Sequence, residues 1–323
     1  MQFVETNGQL ITCNNPVTLV ELVGRTCYKS EDKITEDSAR GFVERLAKSH
    51  HFAMLEHGWV DFEIVGIDNL PPELEHIPWG VYTKKYVVES DLKQKAYHYL
   101  TLSLSHLYQF AEGRDYDLDA FGKHLMEGMW NCFFDKFLNP IGGQLECTSC
   151  GVSIKLLDSI ADMKMLTVAD FTKHKHYSFR FTCDRGVSHE LVRHRMAMGQ
   201  ESTRYVAYDK EKFGAQVVFI PPADWEEWTD EEKEVFESGC KQSEIHYMKL
   251  RNMGKTPQQA RAMLNNALKT EVCMTGSIDQ LTHFFDVRSI GVTGAPHPDM
   301  KKVADIAIAQ FEEQKNKDLE IFW

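Results

Sequence analysis

The sequence predicts an α+β fold, because it indicates both strands and helices and places them in separate stretches of the chain. Apolar and polar side chains alternate in two segments, WVDFEIV at 59–65 and HYSFRFTCD at 176–184, which is typical of half-buried strands. Apolar residues recur instead at helical spacing over 35–49 and 298–317. A hydrophobic content of 43% is enough for a packed core, so a disordered or fibrous chain is excluded.

The remaining elements are predicted from capping and turn residues. Thr35 is the predicted N-cap of the helix at 35–49, and Thr229 is the predicted N-cap of an acidic helix that follows it. Pro257 suits the first turn of a helix, where its fixed φ fits and its missing amide hydrogen is not needed. The segment VVFIPP at 217–222 is typical of a strand end. Further helices are predicted over residues 91–111, 117–138, 153–165, 185–197 and 257–272.

Residues 1–66 and 177–323 are predicted to form one domain, interrupted by a mostly helical insertion at 67–176 between two strands of one sheet. The sequence changes character after Gly66, where IDNLPPELEHIPWG carries three of the ten prolines and indicates an irregular connection. Two roles for the insertion stay open: a lid over an active site, or an extension of a subunit interface.

The charge balance excludes sequence-independent nucleic-acid binding as the main function. Asp and Glu number 48 against 36 Lys and Arg, so the net charge is −12, whereas such binding depends on many cations. No apolar run approaches the roughly 18 residues that span a bilayer. The first residues also lack a signal-peptide pattern. A cytoplasmic protein without a nucleic-acid or membrane partner is therefore expected.

Cysteine spacing gives little indication of a metal. Only Cys147 and Cys150 form a CxxC pair among the eight cysteines, and no second pair completes a four-ligand zinc site. We therefore expect no bound metal and reduced thiols. For this pair, two ordinary loop thiols, a redox pair and half of a zinc site shared between subunits all stay open.

The most informative segment is 184–208, which holds four arginines: Arg185, Arg193, Arg195 and Arg204. Successive side chains on a helix point about 100° apart, so an Arg-His-Arg triplet cannot lie on one solvated face. A buried, unpaired cation is costly, and an anionic ligand would compensate it. The planar guanidinium matches phosphate oxygens well. The alternative is a surface helix whose arginines pair with carboxylates.

The same segment resembles the signature of the flavin-dependent thymidylate synthases, in which Arg-His-Arg is followed, after a short spacer, by a Ser and then an Arg. Here the matching segments are VRHR at 192–195 and QESTRY at 200–205. Other blocks similar to that family occur in the same order along the chain: LVGRTCYKSEDKIT, HHFAMLEHGWVDFEI, FTCDRGVSHELVRHR, PQQARAMLNNALKTE, HFFDVR and APHPDMKKVA. They cover roughly 1–66 and 177–315, and the insertion has no counterpart.

The resemblance implies the fold of that family and FAD-dependent methylation of dUMP at C5 to give dTMP. It further implies methylene-tetrahydrofolate as carbon donor, NADPH as reductant, and a homotetramer that binds its ligands at subunit interfaces. Classical thymidylate synthases instead attack the pyrimidine with a cysteine in a Pro-Cys context, and this sequence contains no Pro-Cys.

The resemblance also implies roles for individual residues. The cofactor-binding residues would be Cys27, His51, Arg193, His194, Arg195, Ser277, His283 and His297. The dUMP site would comprise Glu190, Arg193, Gln200, Glu201, Ser202, Arg204, Arg261 and Arg288. The implied catalytic residues are Ser202 and Arg204, close to the phosphate, and Arg288, which would favour ionisation at N3 of the pyrimidine. A cation there suits the chemistry, because C5 of uracil is a poor nucleophile until electron density enters the ring.

Several positions depart from the family pattern. The spacer between Arg195 and Ser202 is one residue shorter than usual, and Asn265 stands where Pro is common. Ser277, Asp279 and Leu281 replace Asn, Arg and Trp. Two alternatives therefore stay open: C5 alkylation or hydroxymethylation of another pyrimidine nucleotide, and a non-catalytic nucleotide-binding homologue. The remaining histidines His50, His57, His174 and His176 are expected to be surface or strand residues.

Overall fold

The chain forms two larger antiparallel sheets together with separate helices, as expected of an α+β fold. The computed structural model describes residues 1–88, 94–114, 116–139, 146–149 and 151–323. The strands are β1 (Gln2–Phe3), β2 (Asn7–Ile11), β3 (Trp59–Val65), β4 (Val81–Val88), β5 (Gln94–Ser103), β6 (Glu146–Ser149), β7 (Val152–Leu157), β8 (His176–Asp184), β9 (Ala197–Gln200), β10 (Val218–Phe219) and β11 (Lys269–Ser277). The helices are α1 (Pro16–Tyr28), α2 (Ser38–Lys48), α3 (Phe52–Leu55), α4 (Pro72–Glu75), α5 (Leu104–Ala111), α6 (Ala120–Phe133), α7 (Val168–His174), α8 (Arg185–Leu191), α9 (Asp230–Asn252), α10 (Pro257–Ala260), α11 (Ile278–Phe285) and α12 (Pro298–Leu319). The α+β class is confirmed.

One sheet is four-stranded and antiparallel, in the order β2-β8-β11-β9. The Arg-His-Arg segment comes just before its edge strand β9. The alternation in β8 buries Phe179, Phe181 and Cys183. These side chains share one core with Ala307 and Phe311 of α12. Burial of each phenylalanine stabilises the fold by about 1.5–3 kcal/mol, which fixes the sheet against the helix.

A five-stranded antiparallel sheet, in the order β4-β5-β3-β7-β6, contains the strands β4, β5, β6 and β7 of the insertion. Its central strand β3 comes from the first segment of the predicted main domain. Phe62 of β3 is fully buried, and Leu125, Met129 and Phe133 of α6 are buried in the same core. The insertion is therefore built onto β3 and shares its hydrophobic core.

Two predictions about the insertion are wrong. It is not mostly helical, since β4, β5, β6 and β7 all lie within it. The chain is buried on both faces along the last part of β5, so the apolar run there lacks the alternation that distinguishes a strand from a helix. The insertion also does not separate two strands of one sheet, because β3 and β8 belong to different sheets.

Helix boundaries differ from the predictions where neighbouring strands compete for the backbone. The Arg-His-Arg triplet is not helical, because α8 ends at Leu191 and the chain must become extended to pair β9 with β11. The predicted helix at 257–272 is limited to α10, after which β11 begins. Thr35 is not an N-cap, since α2 starts at Ser38. The N-cap Thr229 is confirmed, with Glu232 completing a capping box.

Among the described residues, no helix combines the length and apolar content needed to cross a lipid bilayer.

Candidate functional site

Arg288 is held by two residues from the end of α8 and the turn that follows it. Its Nη1 donates to Glu190 Oε2 at 2.7 Å, and its Nε donates to His194 Nε2 at 3.1 Å. His194 must therefore accept through Nε2 and carry its proton on Nδ1. Partial burial and the nearby charges of Arg288 and His283 lower the pKa of His194 to about 4, which agrees with a neutral ring. The structure thus brings together three predicted residues from distant parts of the sequence.

The loop 201–205 carries a second group of predicted residues. The Glu201 amide donates to the Glu271 carbonyl at 2.8 Å, and the Ser202 amide donates to the Cys27 carbonyl at 3.0 Å. The loop is thereby fixed to β11 and to α1. Arg261 Nη1 donates to Thr203 Oγ1 at 3.2 Å, which places this arginine beside the loop that carries Ser202 and Arg204.

A buried ion network lies beneath this loop. Lys269 Nζ lies 3.2 Å from Glu201 Oε2 and 2.5 Å from Glu271 Oε1, and Lys29 Nζ lies 2.6 Å from Glu271 Oε1. The Tyr208 hydroxyl also donates to Glu201 at 3.2 Å. Despite burial, the two lysines lower the pKa of Glu271 to about 2. We call Lys29, Glu201, Lys269 and Glu271 the buried quartet.

The resemblance implied that Glu201 contacts dUMP, but in the structure its side chain is part of the quartet. Its side chain is only 3% exposed and its carboxylate already interacts with Lys269 and Tyr208. Lys269 and Glu271 were missed by sequence reasoning. Their i, i+2 spacing on a strand, which puts both side chains on one face, was the signal that could have found them.

The motif arginines differ from the quartet, since no counter-charge faces them among the described residues. Arg193, Arg195 and Arg204 are exposed. In the part of the chain that the structure describes, none of the three forms an ion pair with a carboxylate, although acidic residues are in excess. The alternative of a salt-bridged surface helix is therefore not supported.

Other predicted site residues take varied positions. Cys27 is buried and its thiol pKa is raised, so it is protonated and a poor nucleophile. Gln200 Nε2 donates to Ser188 Oγ at 2.8 Å, close to the end of α8. Ser277 is the N-cap of α11.

Three predicted histidines are exposed: His51, His283 and His297. His283 lies near enough to His194 to affect its pKa. In the described ranges, no hydrogen bond or ion pair joins His51 or His297 to Arg288 or its partners.

The expectation of surface or strand positions for the remaining histidines is wrong for two of them. His57 and His174 are buried, and burial lowers the pKa of each to about 4. His57 Nδ1 lies 2.7 Å from Thr275 Oγ1, and His174 Nδ1 lies 2.7 Å from Thr101 Oγ1. Both are core histidines in which Nδ1 meets a threonine hydroxyl. For the CxxC pair, Cys150 lies outside the described residues.

A cleft of about 1120 Å³ adjoins Arg195. We call it the insertion cleft, because insertion residues line it together with residues of the four-stranded sheet and α11. On the insertion side they include Trp79, Tyr82, His106, Arg114 and Tyr116. On the sheet side they include Arg195, Met196, Ser277 and Gln280. Asp279, the reversed charge, lines a different groove with Lys315 and so does not face this cleft.

Residues 144–314, more than half of the chain, match the protein family described as thymidylate synthase complementing protein. The chain therefore belongs to this family, and the resemblance recognised in its motifs is confirmed. The match begins inside the segment predicted as an insertion, so the domain boundaries stay a prediction.

Individual relatives carry a more specific name. The chain is 33% identical over 129 residues to a flavin-dependent thymidylate synthase of Geobacter sulfurreducens, which covers 39% of this chain and 53% of that protein. It is 32% identical over 121 residues to a protein of the same name from Pyrococcus furiosus, covering 35% of this chain and 47% of that protein. The chain thus spans about half the length of the curated relatives it matches.

Among solved structures, similarity is found to the UMP/dUMP methylase PolB from Streptomyces cacaoi bound with 5-Br dUMP. The TM-score is 0.39 and the sequence identity 13%, over 100% of this chain and 98% of that one.

Proposed function

We propose that this protein is a flavin-dependent thymidylate synthase that methylates dUMP at C5 to give dTMP. Methylene-tetrahydrofolate would be the carbon donor and NADPH the reductant. The observation that carries the proposal is the contact of Arg288 with neutral His194, the central residue of the Arg-His-Arg motif, and with the Glu190 carboxylate.

The loop 201–205 supplies the proposed phosphate site. Ser202, Arg204 and Arg261 lie on or beside it, and Glu190 and Gln200 lie close to the end of α8. A guanidinium has five N–H donors, and Arg261 uses one of them on Thr203, which leaves others for a phosphate. A dianionic phosphate would supply the counter-charge that the exposed arginines lack.

Arg288 is the proposed activating residue. A cation beside N3 and the carbonyl oxygens of the pyrimidine stabilises the negative charge that must develop before C5 can act as a nucleophile. His194 and Glu190 hold two of the guanidinium N–H groups, so the remaining groups have a fixed direction. Because the pKa of His194 is about 4, this orientation persists at neutral pH.

The described residues also fit a flavin dinucleotide. Its pyrophosphate requires cations, and Arg193 and Arg195 are exposed and unpaired among the described residues. We propose that these arginines hold it with His194 and Ser277, and that His283, His297 and Cys27 lie nearby. Bound flavin would supply hydride transfer. His51 would lie where the folate stacks on it.

A homotetramer is part of the proposal. Arg193, Arg204 and Arg261 are exposed in the single chain, as expected for ligand contacts that a second subunit completes. Light scattering of the purified protein would test this, and a stable monomer would contradict it.

The decisive experiment combines purified protein with FAD, dUMP, methylene-tetrahydrofolate and NADPH and measures dTMP by mass spectrometry. We expect a yellow protein that forms dTMP only when all four are present. Turnover of another pyrimidine nucleotide without dTMP would replace dUMP by that substrate. A colourless protein that takes up no flavin would overturn the proposal in favour of a non-catalytic nucleotide-binding homologue.

A further inference from the structure

The insertion forms part of a cleft that also contains a motif arginine. The insertion cleft has a volume of about 1120 Å³, above the range of roughly 300–1,000 Å³ that is typical of small-molecule sites. It therefore has room for a ligand of dinucleotide size. Arg195 contributes from the family motif, and Trp79 and Arg114 contribute from the insertion.

Trp79 stands at a rigid turn on the insertion side. The Gly80 amide donates to the Ile77 carbonyl at 3.0 Å, and a side chain at position 80 would collide with Ile77. Trp79 has a φ of +66°, which is strained for an aromatic residue, and its side chain is 70% exposed. The backbone strain at Trp79 is unfavourable in the free protein, and strained positions of this kind cluster at ligand sites.

His106 ties this turn to a second insertion segment. Its Nε2–H donates to the Pro78 carbonyl at 2.6 Å, and its main-chain carbonyl accepts from the Tyr116 hydroxyl at 3.4 Å. Arg114 stacks its guanidinium 4.6 Å from the centre of the Tyr116 ring. The His106 ring also accepts from the Ser103 amide through Nδ1 at 3.2 Å, so both of its nitrogens are held. The insertion side of the cleft is thus preorganised.

The opposite side is equally fixed. Gln280 Nε2 donates to the main-chain carbonyl of Arg195 at 2.9 Å, which anchors the arginine to α11. Met196 packs closely on Gly276, so a larger residue at position 276 would displace the Met196 side chain. The cleft therefore presents two guanidinium groups and an exposed indole from three well-anchored segments.

We propose that the insertion contributes Trp79 and Arg114 to the flavin site. The ligand class is a phosphorylated dinucleotide with a flat heteroaromatic ring, in which Trp79 contacts a ring face and Arg114, with Arg195, pairs with phosphate oxygens. Cationic and aromatic groups together recognise such ligands, because each supplies an attraction that the other lacks. This inference rests on the proposed function, which assigns Arg195 to the flavin. It adds Trp79 and Arg114, two residues outside the family motifs, to the flavin-binding residues.

The test measures FAD binding by quenching of flavin fluorescence, with NADPH binding to the flavin-free protein measured by calorimetry. We expect Trp79→Ala and Arg114→Gln to weaken FAD binding about tenfold or more, and Trp79→Phe to restore most of it, since the phenyl ring keeps a face for stacking. The dissociation constant of dUMP should not change. Tyr86→Ala, an exposed aromatic residue of β4 that does not line the cleft, and Arg45→Gln on α2 are matched controls. Circular dichroism establishes that the variants are folded.

The outcomes separate this inference from the proposed function. If Arg195→Gln weakens FAD binding but Trp79→Ala and Arg114→Gln do not, the insertion has no part in the site and only this inference fails. If the two insertion variants weaken NADPH binding and leave FAD unchanged, the flavin assignment is wrong and the cleft belongs to the reductant. If the wild-type protein binds neither dinucleotide, both the inference and the proposed function fail.

Discussion

Two groups of charged residues use their charges in opposite ways: the buried quartet, and the motif arginines Arg193, Arg195 and Arg204. In the buried quartet, Lys29 and Lys269 balance Glu201 and Glu271, and all four side chains are at most 20% exposed. The motif arginines, in contrast, are exposed and lack carboxylate partners among the described residues. One region compensates its charges within the fold, whereas the other leaves cations available to an anion.

The comparison explains why motif membership does not fix a role. Glu201 and Arg204 belong to the same motif, yet Glu201 points into the quartet while Arg204 is exposed. Desolvated charges need partners inside the protein, whereas exposed arginines do not. Removal of a quartet charge should therefore affect folding, and removal of a motif arginine should affect ligand binding or turnover.

The largest effect is expected for Lys269→Met. This substitution leaves Glu201 and Glu271 with Lys29 as their one lysine partner in the quartet. Removal of one partner from a buried ion network costs about 3–5 kcal/mol of stability. We expect the lower end of this range, because Lys269 is 17% exposed. Urea unfolding followed by circular dichroism measures the change. Lys212→Met is the control, because its ion pair with Asp32 is about half exposed and should contribute less than about 1 kcal/mol. Equal stability of the two variants would contradict the structural role of the quartet.

Arg288→Gln should affect turnover strongly and stability little, which is the reverse of the effect expected for Lys269→Met. The carboxylate that Arg288→Gln leaves, Glu190, is 24% exposed against 3% for Glu201, so water can solvate it and the free energy of unfolding should fall by less than for Lys269→Met. Turnover should fall about 10²-fold, or roughly 2.7 kcal/mol, because the cation acts on charge that develops during the reaction. Steady-state kinetics should show a loss in kcat that exceeds the loss in dUMP affinity. Equal losses in both would argue against activation of the pyrimidine.

Arg204→Ala tests the phosphate site. Loss of a charge-assisted contact should weaken dUMP binding by about 2 kcal/mol, which corresponds to about 30-fold in the dissociation constant. Calorimetry measures this, with Lys210→Ala as a control at a nearby exposed lysine. An unchanged dissociation constant for Arg204→Ala would remove this residue from the site.

The sequence predicted the parts of the fold that have a clear local pattern. Strand β8 follows from its alternation, and α9 follows from Thr229 and its capping box. Strand β5 could not be predicted, because burial on both faces removes the alternation. The end of α8 was also out of reach, since it depends on the pairing of β9 with β11 from 70 residues further along the chain.

The site was predictable in the same uneven way. The motif and the later blocks indicated Arg288 and Arg261 as partners of the Arg-His-Arg segment, and Arg288 does contact His194. Neither the acceptor role of His194 nor the contribution of Trp79 to a cleft follows from residue type. Both depend on which segments the fold places side by side.

The smallest expected effect is the loss, at acid pH, of the stability that the Glu271 carboxylate gives to the quartet. The pKa of Glu271 is about 2 in the folded protein, below its ordinary value of 4.5, so the unfolded chain binds a proton first as the pH falls. Its stabilising contribution is complete above about pH 5 and is lost as the pH falls towards 2. The stability difference between the wild type and Glu271→Gln should therefore shrink by about 1 kcal/mol between pH 6 and pH 3.5. Urea unfolding at both pH values measures it, and Glu5→Gln, a carboxylate that is 80% exposed, should show no such change. A constant difference for Glu271→Gln would mean that the lysines of the quartet do not hold this carboxylate in its charged form.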